Sequence, residues 1–237
     1  MKIIKTLIIT TFILIGNVTV AQKLTLNDLK QNQLNSQKNI VAQALRYNDM
    51  QTAINSIHHI IATEGANSTY KDTLVIAYYS AGRYVSSHLL AKELLQTKPS
   101  NTELLEINAI SLQQLGDTKQ AITAYESLFR LTNNMAHGYQ LAQLQFNIQR
   151  FAEAKTTIAQ TLNCAPVENA YIALPVDKTK NQKVVLKAAV YNLQGLIHFN
   201  LNDKATAVSA FKKALEIMPE FALAKQNNNA LVLESKK

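Results

Sequence analysis

The strongest constraint in this sequence is a spacing. Pro99, Pro166 and Pro219, three of its four prolines, fall at one position of a frame about 34 residues long. With units starting at Leu34, Ser68, Thr102, Met135 and Ala188, place 20 is Ala53, Ser87, Ala121, Ala154 and Ala207. Place 8 is Val41, Val75, Ala109, Ala142 and Gly195. Side chains this small belong where two helix backbones approach to about 8–10 Å. Places 24 and 27, one helical turn apart, hold Ile57 and Ile60, Ala91 and Leu94, Tyr125 and Leu128, Ile158 and Thr161, and Phe211 and Ala214. They share a buried face. Place 15 reads Asn48, Gly82, Gly116, Gln149 and Asn202, mostly residues that accept the left-handed backbone ending a helix. Pro at place 32 then sits just past a second helix, where no interior N–H is needed. A recurring unit of two helices follows, which buries its apolar face only by stacking on neighbours.

Composition agrees. Hydrophobic residues are 47% and charged ones 17%, and only 6 Gly and 4 Pro occur, too few for a chain that must turn every 8–12 residues. A single cysteine excludes an internal disulfide and a thiolate zinc site. The frame predicts helix pairs at 34–67, 68–101, 102–134, 135–168 and 188–221. Residues 22–33 are an N-terminal lead-in, with 24–33 the start of a preceding helix, and 222–237 a capping helix that solvates the last apolar face.

The last unit resembles a tetratricopeptide repeat (TPR). It carries Tyr191 at place 4, Gly195 at 8, Ala207 at 20, Phe211 at 24, Ala214 at 27 and Pro219 at 32. The resemblance implies an all-α, TPR-type α-α superhelix, a right-handed solenoid, with a short β-hairpin-like insertion before the last repeat. It also implies a groove formed by first helices at places 2, 5, 9, 12 and 13. Here those places hold Lys38 and Arg46, then Asp72, Ile76 and Tyr79, then Glu103, Glu106, Ile110 and Gln113. Tyr139, Gln143, Phe146 and Asn147 follow, and Asn192, Leu196, Phe199 and Asn200 complete the set. Tyr79 and Phe199 either face this groove or pack between units. TPR modules that clamp a C-terminal carboxylate place Lys at 5 and Asn at 9. In this chain Lys38 is followed by Ala42, and Glu103 and Glu106 occupy the third unit, which argues against that ligand.

Between Pro166 and Ala188 the frame slips by about 20 residues. Two β-prone runs, Tyr171 to Val176 and Lys183 to Leu186, flank a polar stretch, so 169–187 reads as a hairpin with Pro175 limiting its first run to an edge strand. It either projects toward a partner or covers the join between two units. Exported TPR proteins of Gram-negative bacteria similar to this one carry such an insertion before a last strong unit.

Lys2 and Lys5 precede an apolar run that ends at Thr19-Val20-Ala21, the form of a secretory signal peptide at 1–21, with an uncleaved N-terminal anchor as the alternative. Cleavage lowers the net charge from +8 to +6 and starts the mature chain at Gln22. Residues 169–237 hold 10 basic and 5 acidic side chains, so the last third is basic.

No nucleophile motif, phosphate loop or His-Glu-x-x-His pair occurs. His58 and His59 are adjacent and point about 100° apart on a helix, while His88, His137 and His198 fall in different units. Cys164 reads as a structural thiol. The expectation is a non-enzymatic scaffold or adaptor, without metal or cofactor, exported to the periplasm and binding a protein or peptide in the bacterial envelope. Nucleic acid is not an expected partner there. The alternatives are a self-assembling structural protein that forms homo-oligomers, and a glycan- or lipid-binding module using the basic last third.

Overall fold

Place 15 shows why the chain turns where it does. In the computed structural model, which describes residues 25–165, 169–177 and 179–234, all five residues at this place adopt the left-handed conformation. Their φ values are 57° at Asn48, 69° at Gly82, 76° at Gly116, 62° at Gln149 and 61° at Asn202. The following N–H then reaches back five residues: Asp49 N to Ala44 O, Asp117 N to Leu112 O, Arg150 N to Gln145 O and Asp203 N to His198 O, at 2.8–3.0 Å. Carbonyls left open at the helix end are thereby satisfied. Asp49, Asp117 and Asp203 each cap the next helix by accepting from the backbone N–H three residues on.

The resulting helices are α1 (Leu26–Arg46), α2 (Met50–Glu64), α3 (Tyr70–Ser80), α4 (Tyr84–Leu95), α5 (Thr102–Gln114), α6 (Thr118–Thr132), α7 (Met135–Asn147) and α8 (Phe151–Leu162). Strands β1 (Tyr171–Pro175) and β2 (Asn181–Val185) follow, then α9 (Leu186–Asn200), α10 (Lys204–Ile217) and α11 (Ala222–Glu234). The two strands are antiparallel, with Tyr171 opposite Val185 and Pro175 opposite Asn181. The expected signal peptide, residues 1–21, and Pro166 lie outside the described residues.

Residues 26–33 do not form a separate preceding helix. They are the first turns of α1 itself, which starts on a capping box: Thr25 Oγ1 accepts from Asp28 N at 3.2 Å, and Thr25 N donates to Asp28 Oδ2 at 2.9 Å. The Thr25-x-x-Asp28 signal is local, and the repeat frame does not register it.

The chain forms two compact bodies, one ending at Ala81 and the other beginning at Gly82. In the first, α2 packs against both α1 and α3. In the second, consecutive helices from α4 to α8 pack in chain order, α9 packs on α8 and also touches α7, and α10 and α11 continue. Every residue at place 20, from Ala53 to Ala207, is fully buried, as is each small residue at place 8. Gly195 shows how tight these approaches are, since an added Cβ would lie 2.3 Å from the Phe211 ring. The main core cluster of the second body draws on helices from α5 to α11 and includes Val184 of β2, while Ala207, Phe211 and Leu231 form a smaller cluster of their own. The insertion is therefore built into the core on one side. Gln182 ties it down: its Nε2 donates to Glu220 O at 2.8 Å, and the Ala222 N–H, the first of α11, donates to its Oε1 at 3.0 Å.

Candidate functional site

The first helices of the third and fourth units, α5 and α7, both pack on α6 and together line a recess of about 320 Å³. Glu106, Ile110, Gln113 and Gln114 of α5, Tyr125 of α6, and Ala136, His137 and Gln140 of α7 line it. Glu106 and Gln113 are among the groove residues expected from the sequence. Ile110 gives the recess an apolar surface beside them. Tyr125 was legible only as a core position, yet its hydroxyl emerges from the core to donate to Gln113 Oε1 at 3.1 Å, fixing that amide. His137 stands 3.7 Å from Glu106 Oε1 through Nε2, with Nδ1 2.8 Å from the Thr132 hydroxyl. An ion pair joins α5 to α7 whenever that imidazole is protonated. His137 and Gln140 lie outside the expected set, because neither has a place-specific signal in the frame.

The fourth-unit residues form a line along α7. Tyr139 is 4% exposed, so its ring belongs to the core, and burial pushes its phenol up to about 12. Its hydroxyl donates to Gln143 Oε1 at 3.1 Å, and Gln143 Nε2 donates to Asn147 Oδ1 at 3.2 Å. The spacing i, i+4, i+8 puts all three on one face. What reaches the surface is the amide of half-buried Gln143 and the exposed Asn147. Phe146 is half-buried and packs its ring against Phe151, centroids 5.5 Å apart.

The fifth-unit residues are engaged by the C-terminal helix. Asn192 is 5% exposed and accepts from Asn227 of α11 at 3.0 Å. Leu196 and Phe199 join a small cluster with Ala207, Phe211 and Leu231. Asn200 is exposed and donates to the Leu196 carbonyl at 2.9 Å. Phe199 is half-buried against that cluster.

In the body ending at Ala81, Lys38 is taken up internally. Its Nζ lies 2.8 Å from Glu64 Oε1 and 5.5 Å from the centre of the Tyr70 ring. The Glu64 carboxylate holds the Lys38 ammonium above its ordinary value, and Lys38, then Ser68, hold Glu64 below its own. Arg46 is exposed in the last turn of α1, Asp72 is half-buried in the first turn of α3, and Tyr79 is half-buried near its end. The structure therefore groups Glu106 and Gln113 in one recess and Tyr139, Gln143 and Asn147 in one ladder. It places Lys38, Asn192 and Phe199 in contacts of their own.

Among the described residues, no three His, Cys, Asp or Glu side chains come together as a metal requires, and no helix is long and apolar enough to cross a membrane. Cys164 is buried, its Sγ donates to Asn133 Oδ1 at 3.3 Å, and burial pushes the thiol up.

This architecture of stacked helix pairs, small residues at their crossings and left-handed residues at their turns is that of tetratricopeptide-repeat proteins. Residues 188–221 match the family model for the tetratricopeptide repeat. A tetratricopeptide repeat protein from Parabacteroides merdae superposes with a TM-score of 0.63 at 14% identity, over 87% of this chain and 75% of that one. YrrB, a TPR protein with an unusual peptide-binding site, gives a TM-score of 0.63 at 16% identity over 81% of this chain and 89% of its own. MamA from Desulfovibrio magneticus gives 0.60 at 14% identity, over 80% and 97%. Likeness at this level of identity is likeness of fold. None of the curated proteins compared with this sequence is significantly similar to it. Residues 188–221 are thus a tetratricopeptide repeat, and the chain has the TPR-type fold, all-α among the described residues apart from one hairpin.

Proposed function

We propose that this protein is a non-enzymatic adaptor that holds a peptide segment of another protein against the first helices of its third and fourth units. The observation that carries this reading is the α5–α7 recess, which Glu106, Gln113 and His137 line together with the apolar Ile110, with the amides of Gln143 and Asn147 further along α7. Amide groups pair with a peptide backbone through both donor and acceptor. Glu106, with nearly half its side chain exposed, and Glu103 beside it favour a segment with a cationic side chain. The peptide-binding site of YrrB, a protein of the same fold, supports the reading by analogy.

The bacterial envelope is the proposed location, on the strength of the signal-like residues 1–21. Mass spectrometry of the secreted form tests that part, with a mature chain starting at Gln22 as the expected result. The binding reading is tested by affinity capture from envelope extracts with the wild-type chain, Glu106→Lys and Gln143→Ala. A partner retained by the wild type and lost from both variants supports it, whereas a partner indifferent to both contradicts it.

A further inference from the structure

The hydrogen bonds of His137 fix which of its ring nitrogens faces the α5–α7 recess as an acceptor. The Thr132 hydroxyl lies 2.8 Å from the Leu128 carbonyl and 2.8 Å from His137 Nδ1. A carbonyl oxygen can only accept, so the single hydroxyl hydrogen goes to Leu128 O, and Nδ1 is the donor to Thr132. The neutral imidazole therefore carries its proton on Nδ1 and a lone pair on Nε2. Nε2 stands 3.7 Å from Glu106 Oε1. Two acceptors thus confront each other, one on α7 and one on α5. Among the described residues, no other group donates to either of them.

Only a cation resolves such a confrontation, and three kinds compete for it. A proton on Nε2 makes an imidazolium that pairs with Glu106 and closes the gap. A metal ion finds just these two ligands, because no third His, Cys, Asp or Glu stands with them among the described residues. An ammonium sends its donors in divergent directions and can serve two separate acceptors; a nitrogen about 2.8 Å from each bridges the 3.7 Å between them. The parallel N–H groups of a guanidinium instead match the two oxygens of one carboxylate, which leaves His137 unused. The surroundings suit a lysine stem, since Ile110 and Ala136 line the same recess with apolar surface. Its titratable lining groups are Glu106 of α5, Tyr125 of α6 and His137 of α7, with Glu103 one turn before Glu106. The Tyr125 hydroxyl already donates to Gln113.

We propose that this gap seats the ammonium of a lysine side chain between Glu106 Oε1 and His137 Nε2. The lysine comes from the partner segment, so the inference rests on the adaptor reading for its source and adds the residue that the recess selects. Protonation of His137 expels it, because the imidazolium loses the acceptor and takes the Glu106 carboxylate for itself. Binding therefore weakens as pH falls.

NMR of the intact chain with isotope-labelled histidine tests the seat, using N-acetyl-lysine-methylamide as probe at about pH 8 and about pH 5, on either side of where imidazoles titrate. The signal missing from His137→Asn identifies the residue, and the Asn amide keeps a donor for Thr132 while removing Nε2. At about pH 8 the His137 proton is expected on Nδ1, and the lysine probe shifts Nε2. Its binding weakens at least about tenfold in Glu106→Gln, in His137→Asn and at about pH 5. The norleucine and arginine counterparts of the probe leave Nε2 unshifted. A proton on Nε2 at about pH 8, no binding of the lysine probe up to about 10 mM, an equal shift from the arginine or norleucine probe, or binding indifferent to His137→Asn overturns the proposal. Should His137→Asn fail to fold, Glu106→Gln at a half-exposed side chain and the pH comparison on the wild type decide. A partner captured from extracts that is lost with Glu106→Lys but fully retained by His137→Asn would refute the lysine seat and leave the adaptor reading standing. A lysine probe that binds as stated while no partner is captured would do the reverse.

Discussion

At the scale of single residues, the turn between paired helices is the most exacting position. Gln149 holds a left-handed φ of 62° where Gly82 and Gly116 stand in other units. The left-handed conformation costs a residue with a Cβ about 1–2 kcal/mol, partly offset by the smaller backbone entropy it loses on folding. Gln149→Gly is therefore expected to stabilise the protein by about 0.5–1 kcal/mol, raising Tm by roughly 1–3 °C. A lower Tm in thermal unfolding would show that the Gln149 side chain supplies something the backbone argument omits. The helix caps carry a pH dependence. Asp203 lies below the ordinary carboxyl value because Thr206 at the start of α10, and then His198, hydrogen-bond its ionised form. Asp49 is lowered in the same way by Thr52. A depressed carboxyl stabilises the fold above its unfolded value, near 4, and that contribution disappears as pH falls through the lower folded value. Tm should thus fall as pH drops from about 5 to about 3, and fall less in Asp203→Asn, which keeps the cap but does not titrate.

At the scale of elements, the turns were legible because their chemistry is local. A Gly or Asn at place 15 in four of the five units, followed by Asp at 49, 117 and 203, says what the backbone does there without reference to any neighbour. The start of α1 was equally local, in Thr25 and Asp28, but a search by repeat period passes over a signal that occurs once. Exposure was not legible in the same way. Tyr139 and Asn192 share place 5 with Lys38, and the frame treats them alike, yet the first is core, the second is covered by α11, and the third pairs with Glu64. Each outcome depends on what another element brings. The hairpin belongs to this scale too. Gln182 caps the first N–H of α11 from β2, so the insertion and the C-terminal helix stabilise one another. Gln182→Ala should cost about 1–2 kcal/mol. Hydrogen exchange should then quicken in α11 and the strands while α7 stays protected. Uniformly faster exchange would mean that the hairpin is coupled to the whole core.

At the scale of the whole molecule, a repeat array places many equivalent surfaces in a row and then differentiates them by side chain. In this protein the first-helix surface of the third and fourth units combines exposed acid, fixed amides and an apolar floor, whereas the fifth unit uses its equivalent residues to seat α11. Holding another chain is the work such a surface suits. The most direct test is photo-crosslinking in intact cells from a benzoyl-phenylalanine placed at Asn147 on α7, compared with one at Lys155 on the exposed side of α8. A discrete partner adduct is expected from position 147, none from 155, and loss of the adduct when Glu106→Lys is added. Identical adducts from both positions, or an adduct from 147 that survives Glu106→Lys, would contradict it.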